Sequence, residues 1–414
     1  MKVLVVNAGS SSCKYQLIEM DSNKVLCSGL AERIGLEMGK LTHKIDPDGP
    51  KEEKIVKEQP FPTHKEAIEL VIALLTDPEK GVIKSKNEIY AIGHRVLHGG
   101  EAMTEPVLVD ENVKKVIEEC FPLGPLHNPP NLTGIKTCEA LFEGIPNVAV
   151  FDTEFGMGMP EESYMYALPY EYYERLKIRR YGFHGTSHKY IAKATAKYLG
   201  KPLKELNSIT MHLGNGSSIS CVKNGKCLDT SMGLTPLEGL VMGTRCGSID
   251  PAIVPFIMEK DGLTPAEMDT LMNKKSGLAG VCGFTDMRDV HAAREKGDKR
   301  AELAFRLLVH SIKKILGAYF FELGGKVDAI TFTAGIGEND NLCRAAVVEG
   351  LEAIGFKLDE KENNTRKPGA RTISAADSRF PILVIPTNEE LQIAETAVEV
   401  VSAKKELQAG AHRP

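Results

Sequence analysis

The sequence predicts an α/β protein built from two duplicated domains, and three observations carry that prediction. A chain of 414 residues exceeds what one ordinary core organises, so two domains of about 200 residues are expected. A strand–turn–strand grammar at the N-terminus returns about half the chain later, as an internal duplication would require. Capped helical patterns stand between short apolar runs, which is the pattern of an α/β plan.

Taken in order, "KVLVVN" (2–7) is an apolar strand and "AGSSS" (8–12) a small-residue turn. "KYQLIEM" (14–20) alternates, "DSNK" (21–24) turns again, and "VLCSGL" (25–30) follows. The second copy reads "SITMHL", "GNGSS", "ISCV", "KNGK" and "CLDTS" over 208–231. Glycine and serine let backbone N–H groups approach an anion closely, so both first turns are candidate phosphate cradles. Neither is a Walker loop, because each leads into an alternating strand and not into a helix. "PTHKEAIELVIALLTD" (62–77) carries a Thr63–Glu66 capping box and apolar residues at 67, 68, 71, 74 and 75. "SHKYIAKATAKYLGKP" (187–202) is a helix stopping at Gly200, and "TPAEMDTLMNKKSG" (264–277) is one opened by Thr264, Pro265 and Glu267. "AITFTAGIGEND" (329–340) reads as a strand, a Gly335-Ile336-Gly337 turn, and a helix opened by Glu338 and Asn339. "IPTNEELQIAETAVEVV" (385–401) reads as a helix capped by Thr387 with Glu390 as its box partner, leaving Glu389 free for Mg²⁺. The domains are expected to cover 1–150 with about 388–414, and 151–387. The tail "KKELQAGAHRP" is expected to fray.

Composition narrows the function. A formal charge of −5 provides no basic face, so nucleic acid is excluded as the main partner. No apolar run reaches the roughly 18–20 residues that span a bilayer, and the N-terminal apolar stretch is too short for a signal-peptide core, so no membrane partner and a cytoplasmic location are expected. Nine cysteines without a C-x-x-C pair read as reduced thiols. With Asn224-Gly225 as a two-residue turn, Cys221 would face Leu228 and Val222 would face Cys227, so the thiols stay apart.

Several stretches could carry chemistry. Arg95 in "AIGHRVLHGGE" lies within an apolar run and needs an anionic partner. Arg245 in "VMGTRCGSIDP" repeats that situation among glycines, and both arginines suit carboxylate or phosphate. His184 and His188 have helical i, i+4 spacing but lack a third zinc ligand, so His184 is read as a donor on a Gly-flanked turn. His212 stands at the lip of the second cradle. In "FDTEFGMGMP" (151–160) Asp152 ends a strand, and Glu154 opens a segment expected to be loosened by Gly156 and Gly158.

Together "NAGSSSCKY", "HRVLHGGE", "PLHNPPNL", "FDT", "RRYGFHGTSHKY", "HLGNGSS", "DTSMGLTPLEGLVMGTRCGSIDPA", "FTAGIGEN" and "PTNEEL" resemble the acetate kinase family, in order from residue 1 to about 400. The resemblance implies the actin-like ATPase, ribonuclease H-like fold: two βββαβαβα domains with the active site in the interdomain cleft. It also implies a homodimer and reversible, direct in-line phosphoryl transfer from ATP to acetate, giving acetyl phosphate and ADP. Mg²⁺ is the implied metal, with Mn²⁺ able to replace it. A propionate or butyrate kinase of the same family is the near alternative, and a non-catalytic nucleotide-binding relative the distant one.

By the same resemblance, Asp152, His184, Arg245 and Arg95 are the catalytic candidates, with Asn7 and Glu389 organising Mg²⁺. Arg95, Leu97, Leu126, Phe183, Pro236 and His127 would hold the acid. The nucleotide would meet Lys14, then His212, Leu213, Gly214, Asn215 and Gly216, then Asp286, Met287 and Arg288, then Gly335, Ile336, Gly337, Glu338 and Asn339. Leu97 stands where the family usually has a smaller valine, so acetate is expected to be preferred over propionate. Two departures stand out: Glu154–Gly158 replaces an Ala-Phe-His-Gln-Thr run, and Met287 stands in place of an aromatic residue in a shortened segment.

Overall fold

A computed structural model describes residues 1–411, with side chains described as far as residue 408. Two compact units emerge: Met1–Glu154 with the C-terminal segment from Asn388, and Phe155–Thr387.

The first unit is an eight-stranded sheet ordered β5-β4-β3-β2-β1-β6-β8-β7. Its strands are β1 (Lys2–Ala8), β2 (Ser12–Glu19), β3 (Lys24–Glu32), β4 (Gly39–Ile45), β5 (Glu53–Gln59), β6 (Ile89–Val96), β7 (Val107–Leu108) and β8 (Asn147–Phe151). β1 to β5 form an antiparallel meander, whereas β6 runs parallel to β1 and β8 parallel to β6. The continuous apolar run of β1 follows from its central place, since a strand covered on both faces has no polar side. Leu4 and Val6 pack on one face with Ile68, Val71 and Leu75 of the His64–Leu75 helix. Val3 and Val5 pack on the other face with Ile393, Ala394 and Ala397 of the Glu389–Ala411 helix.

The second unit has a six-stranded sheet ordered β11-β10-β9-β12-β14-β13. Here β9 is Ser208–Leu213, β10 Ser217–Lys223, β11 Lys226–Thr230, β12 Ala329–Thr333, β13 Arg371–Thr372 and β14 Ile382–Val384. The run β11-β10-β9-β12-β14 repeats β3-β2-β1-β6-β8, with the same antiparallel and parallel pairings in the same places. The duplication read from two short stretches therefore extends over five strands of each sheet. The core of this unit is centred on the Lys299–Glu322 helix, whose Phe305, Leu308, Ile312 and Leu316 meet Ile209, Met211 and Phe332.

Both capping boxes form as expected, at Thr63–Glu66 and Thr264–Glu267. Other local expectations need correcting. A register shift in β10 places Cys221 opposite Asp229 and not Leu228, although Val222 does face Cys227. All nine cysteines are free thiols. The C-terminal helix starts at Glu389, and Asn388 caps it by accepting from the Leu391 N–H at 3.0 Å. Thr387 instead shares a hydrogen bond with Ser187 at 2.8 Å. This helix runs on to Ala411 rather than fraying from Lys404; 412–414 lie outside the described residues.

The glycine turn after β12 is itself helical over Ala334–Asn339, and the next helix opens at Asn341 with Asp340 as its cap. Ala334 takes the left-handed backbone (φ 65°) that the turn demands. The Glu338 carboxylate closes it by accepting from the Ala334 N–H at 2.9 Å. The Glu154–Gly158 segment is a 3₁₀ helix and not a loosened loop. A Cβ on buried Gly156 would overlap the backbone carbonyl oxygen of Tyr181, so glycine here permits close packing.

Candidate active site

In the first unit the predicted residues gather where the parallel strands end, the usual ligand edge of such sheets. Asn7, the penultimate residue of β1, lies opposite Lys14 of β2, Arg95 is the penultimate residue of β6, and Asp152 follows β8. Arg95 Nε donates to both Asp152 oxygens at 3.1 and 3.2 Å, and Nη2 donates at 2.6 Å. The Asp152 backbone N–H bonds the Val96 carbonyl at 2.9 Å, which fixes the carboxylate at the strand edge. This is the anionic partner that Arg95 required, and it holds the guanidinium firmly protonated.

Glu389 opens the C-terminal helix, which packs across β1, β6 and β8. Burial pushes its carboxyl up to about 7, opposed by Arg95 and reinforced by Asp152 and Glu390. Lys14 pairs with Glu390. Three carboxyl groups thus share two cations, and a further cation could take the place of the proton that burial favours on Glu389. Mg²⁺ uses one or two carboxylates beside water and phosphate, so Asn7 and Glu389 are a sufficient pair of oxygen donors for it. Among the described residues, no cluster of three His, Cys, Asp or Glu side chains could hold a metal by itself.

The acid-binding candidates of this unit differ in exposure. Leu97 is buried and packs against Gly124, where an added Cβ would lie 2.9 Å from its Cδ2. Leu126 is 59% exposed, and exposed His127 precedes the Asn128–Leu141 helix. Two residues that sequence reasoning missed stand beside them. Asn128 bridges the His98 backbone in both directions, at 3.1 and 2.9 Å, and Asn131 joins the Leu97 N–H to the Ala8 carbonyl at 3.1 and 2.8 Å. The signal was present in "PLHNPPNL", since buried asparagines need partners.

In the second unit His184, His212 and Arg245 converge on the β9–β10 turn. His184 is in the left-handed conformation (φ 56°) at the start of the Gly185–Tyr198 helix, and its ring stacks on His212 at 4.1 Å. Its Nδ1 shares a hydrogen bond with Ser218 Oγ at 2.9 Å, and His188 Nε2 meets the same oxygen at 2.7 Å. Ser187 Oγ meets His212 Nδ1 at 2.8 Å. Burial holds His188 well below the usual histidine range, as suits a neutral supporting residue. A Cβ on Gly216 would stand 3.3 Å from His184 Nε2 and 3.5 Å from Arg245 Nη1, so that glycine is the floor beneath both.

Arg245 Nη1 donates to the Pro236 carbonyl at 3.1 Å and lies 3.7 Å from Met242 Sδ. Among the described residues no carboxylate pairs with it, and burial lowers its proton affinity. A desolvated guanidinium without a counter-charge is built to receive an anion. Phe183, one residue before His184, is buried, and Pro236 is half-buried.

A cavity of about 750 Å³ in this unit is lined by eight of the nucleotide candidates: Gly214, Asn215, Asp286, Met287, Arg288, Gly335, Ile336 and Asn339. Thr285, His291, Asp340, Asn341, Leu342 and Arg366 also line it and were not foreseen. His212, Leu213, Gly216, Gly337 and Glu338 do not. Leu213 is in the core, and Glu338 is committed to the Ala334 and Thr387 N–H groups. Lys14 belongs to the first unit. Asp286 caps the Met287–Glu295 helix and grips the exposed Arg288, while Met287 is buried in the core. A larger cavity of about 1000 Å³ elsewhere in the unit contains none of the predicted residues.

Among the described residues no helix is long and apolar enough to cross a membrane. The acetokinase family profile matches residues 2–395. An acetate kinase of Desulfovibrio desulfuricans is 74% identical over 401 residues, covering 97% of this chain and all of that relative. The crystal structure of Porphyromonas gingivalis acetate kinase matches with a TM-score of 0.91 at 44% identity, covering 97% of this chain and 99% of that one. A propionate kinase from Francisella tularensis matches with a TM-score of 0.89 at 41% identity, covering 96% and 99%. With a family match spanning nearly its whole length, the chain belongs to the acetokinase family.

Proposed function

We propose that this chain is an acetate kinase, transferring a phosphoryl group reversibly between ATP and acetate to give ADP and acetyl phosphate. The observation that carries the reading is Arg245, a desolvated cation without a carboxylate partner, beside His184 over the glycine floor of a phosphate-cradle turn. Acetate is ionised at neutral pH, so a general base has no proton to remove. The task is to align an anionic nucleophile with an anionic phosphoryl group and offset their repulsion, which cations and preorganised donors do.

In this reading Arg245 and His184 stabilise the transferring group. Arg95 offers its Nη1, the nitrogen left after Asp152 has taken the other side of the guanidinium. Asp152 orients Arg95 and removes no proton. Asn7 and Glu389 would hold Mg²⁺, whose charge would neutralise the phosphates of the nucleotide. The cavity at Gly214, Asp286 and Gly335 receives that nucleotide. A homodimer acting in the cytoplasm belongs to the same proposal, supported by family membership; gel filtration tests the dimer.

The test is a hydroxamate assay for acyl phosphate with acetate, propionate and butyrate in parallel. Acetate is expected to give the highest kcat/KM. Equal or higher values for propionate would make the chain a propionate kinase, and no product with any acid would make it a non-catalytic relative.

A further inference from the structure

Two segments of the second unit set the groups assigned to the phosphoryl: Tyr181–His184, which ends in His184, and the loop of residues 230–238, whose Pro236 carbonyl accepts from Arg245. Arg180, at the head of the first segment, reaches across to the second. Its Nη1 donates to the carbonyls of Thr230, Ser231 and Met232 at 3.0, 3.3 and 3.3 Å. Its Nη2 donates to Glu238 Oε1 at 2.8 Å. The other Glu238 oxygen receives the Tyr166 hydroxyl, and that hydroxyl accepts from the Leu234 N–H at 3.2 Å. The backbone adds to this: the Tyr181 and Gly182 N–H groups both donate to the Gly233 carbonyl, at 3.1 and 3.3 Å. Gly233 has no room for a Cβ, because the Glu238 carboxylate and the Tyr166 hydroxyl fill that space.

We propose that Arg180 and Glu238 are a pair of positioning residues that fix the spacing between His184 and Arg245. Gly182 (φ 76°) and His184 (φ 56°) hold left-handed conformations within three residues of each other. Such a segment persists only when its surroundings over-determine it. Arg180 does so from one side, and through Glu238 it fixes the turn that presents the Pro236 carbonyl to Arg245. Neither residue lines the nucleotide cavity. Loosening the pair therefore separates the two donors while leaving nucleotide binding intact, which lowers kcat and not ATP affinity. The inference rests on the reading of His184 and Arg245 as the groups that stabilise the transferring phosphoryl.

The test compares Glu238→Gln and Arg180→Lys with the wild type, reading kcat, KM for ATP, and the imidazole ¹⁵N–¹H signals of His184 and His212. Gln keeps an acceptor for Arg180, whereas Lys cannot reach the three carbonyls and the carboxylate together. Glu238→Gln is expected to lose about 10-fold in kcat and Arg180→Lys about 100-fold, the scale of a misplacement near 1 Å. KM for ATP should stay within about twofold, the His184 signals should move, and the double variant should be no worse than the worse single one. Tyr166→Phe, which removes one hydroxyl, gives the same readouts in milder form if the charge variants do not fold. An unchanged kcat with unmoved His184 signals, or a KM for ATP rising in step with the loss of kcat, overturns the proposal. A wild type that makes no acyl phosphate overturns the functional reading instead. The imidazole signals then decide the positioning role alone, moving if it holds and staying if it does not.

Discussion

Asp152 accepts three hydrogen-bond contacts from Arg95 across the ends of neighbouring parallel strands, and only the Nη1 side of the guanidinium is left over. The side chain of Asp152 is 2% exposed and that of Arg95 26%. Asp152→Asn is expected to release Arg95 from its fixed pose and lower kcat/KM for acetate by about 10²-fold. It should also cost about 2–3 kcal/mol of stability, below the roughly 3–5 of a fully buried pair because Arg95 remains partly in water. Steady-state kinetics with denaturant titration check both, and an active, equally stable variant would remove the pair from the mechanism.

Arg245 is held by a carbonyl and a thioether, so its positive charge is left for the ligand. Arg245→Ala is expected to lose about 10³–10⁵ in kcat, the scale of a transition-state arginine. ADP affinity measured by calorimetry should be unchanged, because Arg245 does not line the nucleotide cavity. A kcat within tenfold of wild type contradicts the role.

The Glu154–Gly158 segment departs from the family pattern, and if that departure weakens the site, restoring alanine at 154 and histidine at 156 would raise kcat. The structure reverses this expectation, since the Tyr181 carbonyl occupies the space of a residue-156 side chain. Gly156→His is expected to lower stability by about 1–3 kcal/mol, as overpacking does, and to lower kcat through the nearby His184 turn. Thermal melts and kinetics of this single variant decide it, and a variant more active than wild type would restore the earlier expectation.

Three buried histidines of the first unit, His43, His94 and His98, make its stability depend on pH. Burial lowers each of the three from 6.5 to about 4. His43 faces the Tyr15 hydroxyl at 2.6 Å, and His94 meets the Asn147 side chain at 2.7 Å. Between pH 6.5 and about 4 the unfolded chain binds protons that the folded chain refuses, so stability falls as the pH drops through that window. Each site contributes about 3 kcal/mol at most. Urea titrations at pH 7.5 and 4.5 should show the loss, and His43→Gln should remove part of it. A slope unchanged by that substitution would place the acid sensitivity elsewhere.

Much of this molecule is legible in the chain because its local elements are stabilised locally. The capping boxes at Thr63 and Thr264 join residues three apart, and the hairpins of β1–β2 and β9–β10 close over a few residues. A run such as "VLVV" announces a strand buried on both faces whatever surrounds it. The duplicated turns could be found for the same reason, and Arg95 within an apolar run announced that it needed an anion.

Which anion Arg95 takes was a matter for the tertiary structure, for Asp152 lies 57 residues away. The same holds for the shift that moves Cys221 opposite Asp229, for Asn388 displacing Thr387 as the helix cap, and for the carbonyl that requires glycine at 156. Periodicity and capping report how a residue faces its own element. Contacts between distant residues depend on where the chain returns and on what space is left when it does, and this decided the partners of Arg95, Arg180 and Arg245.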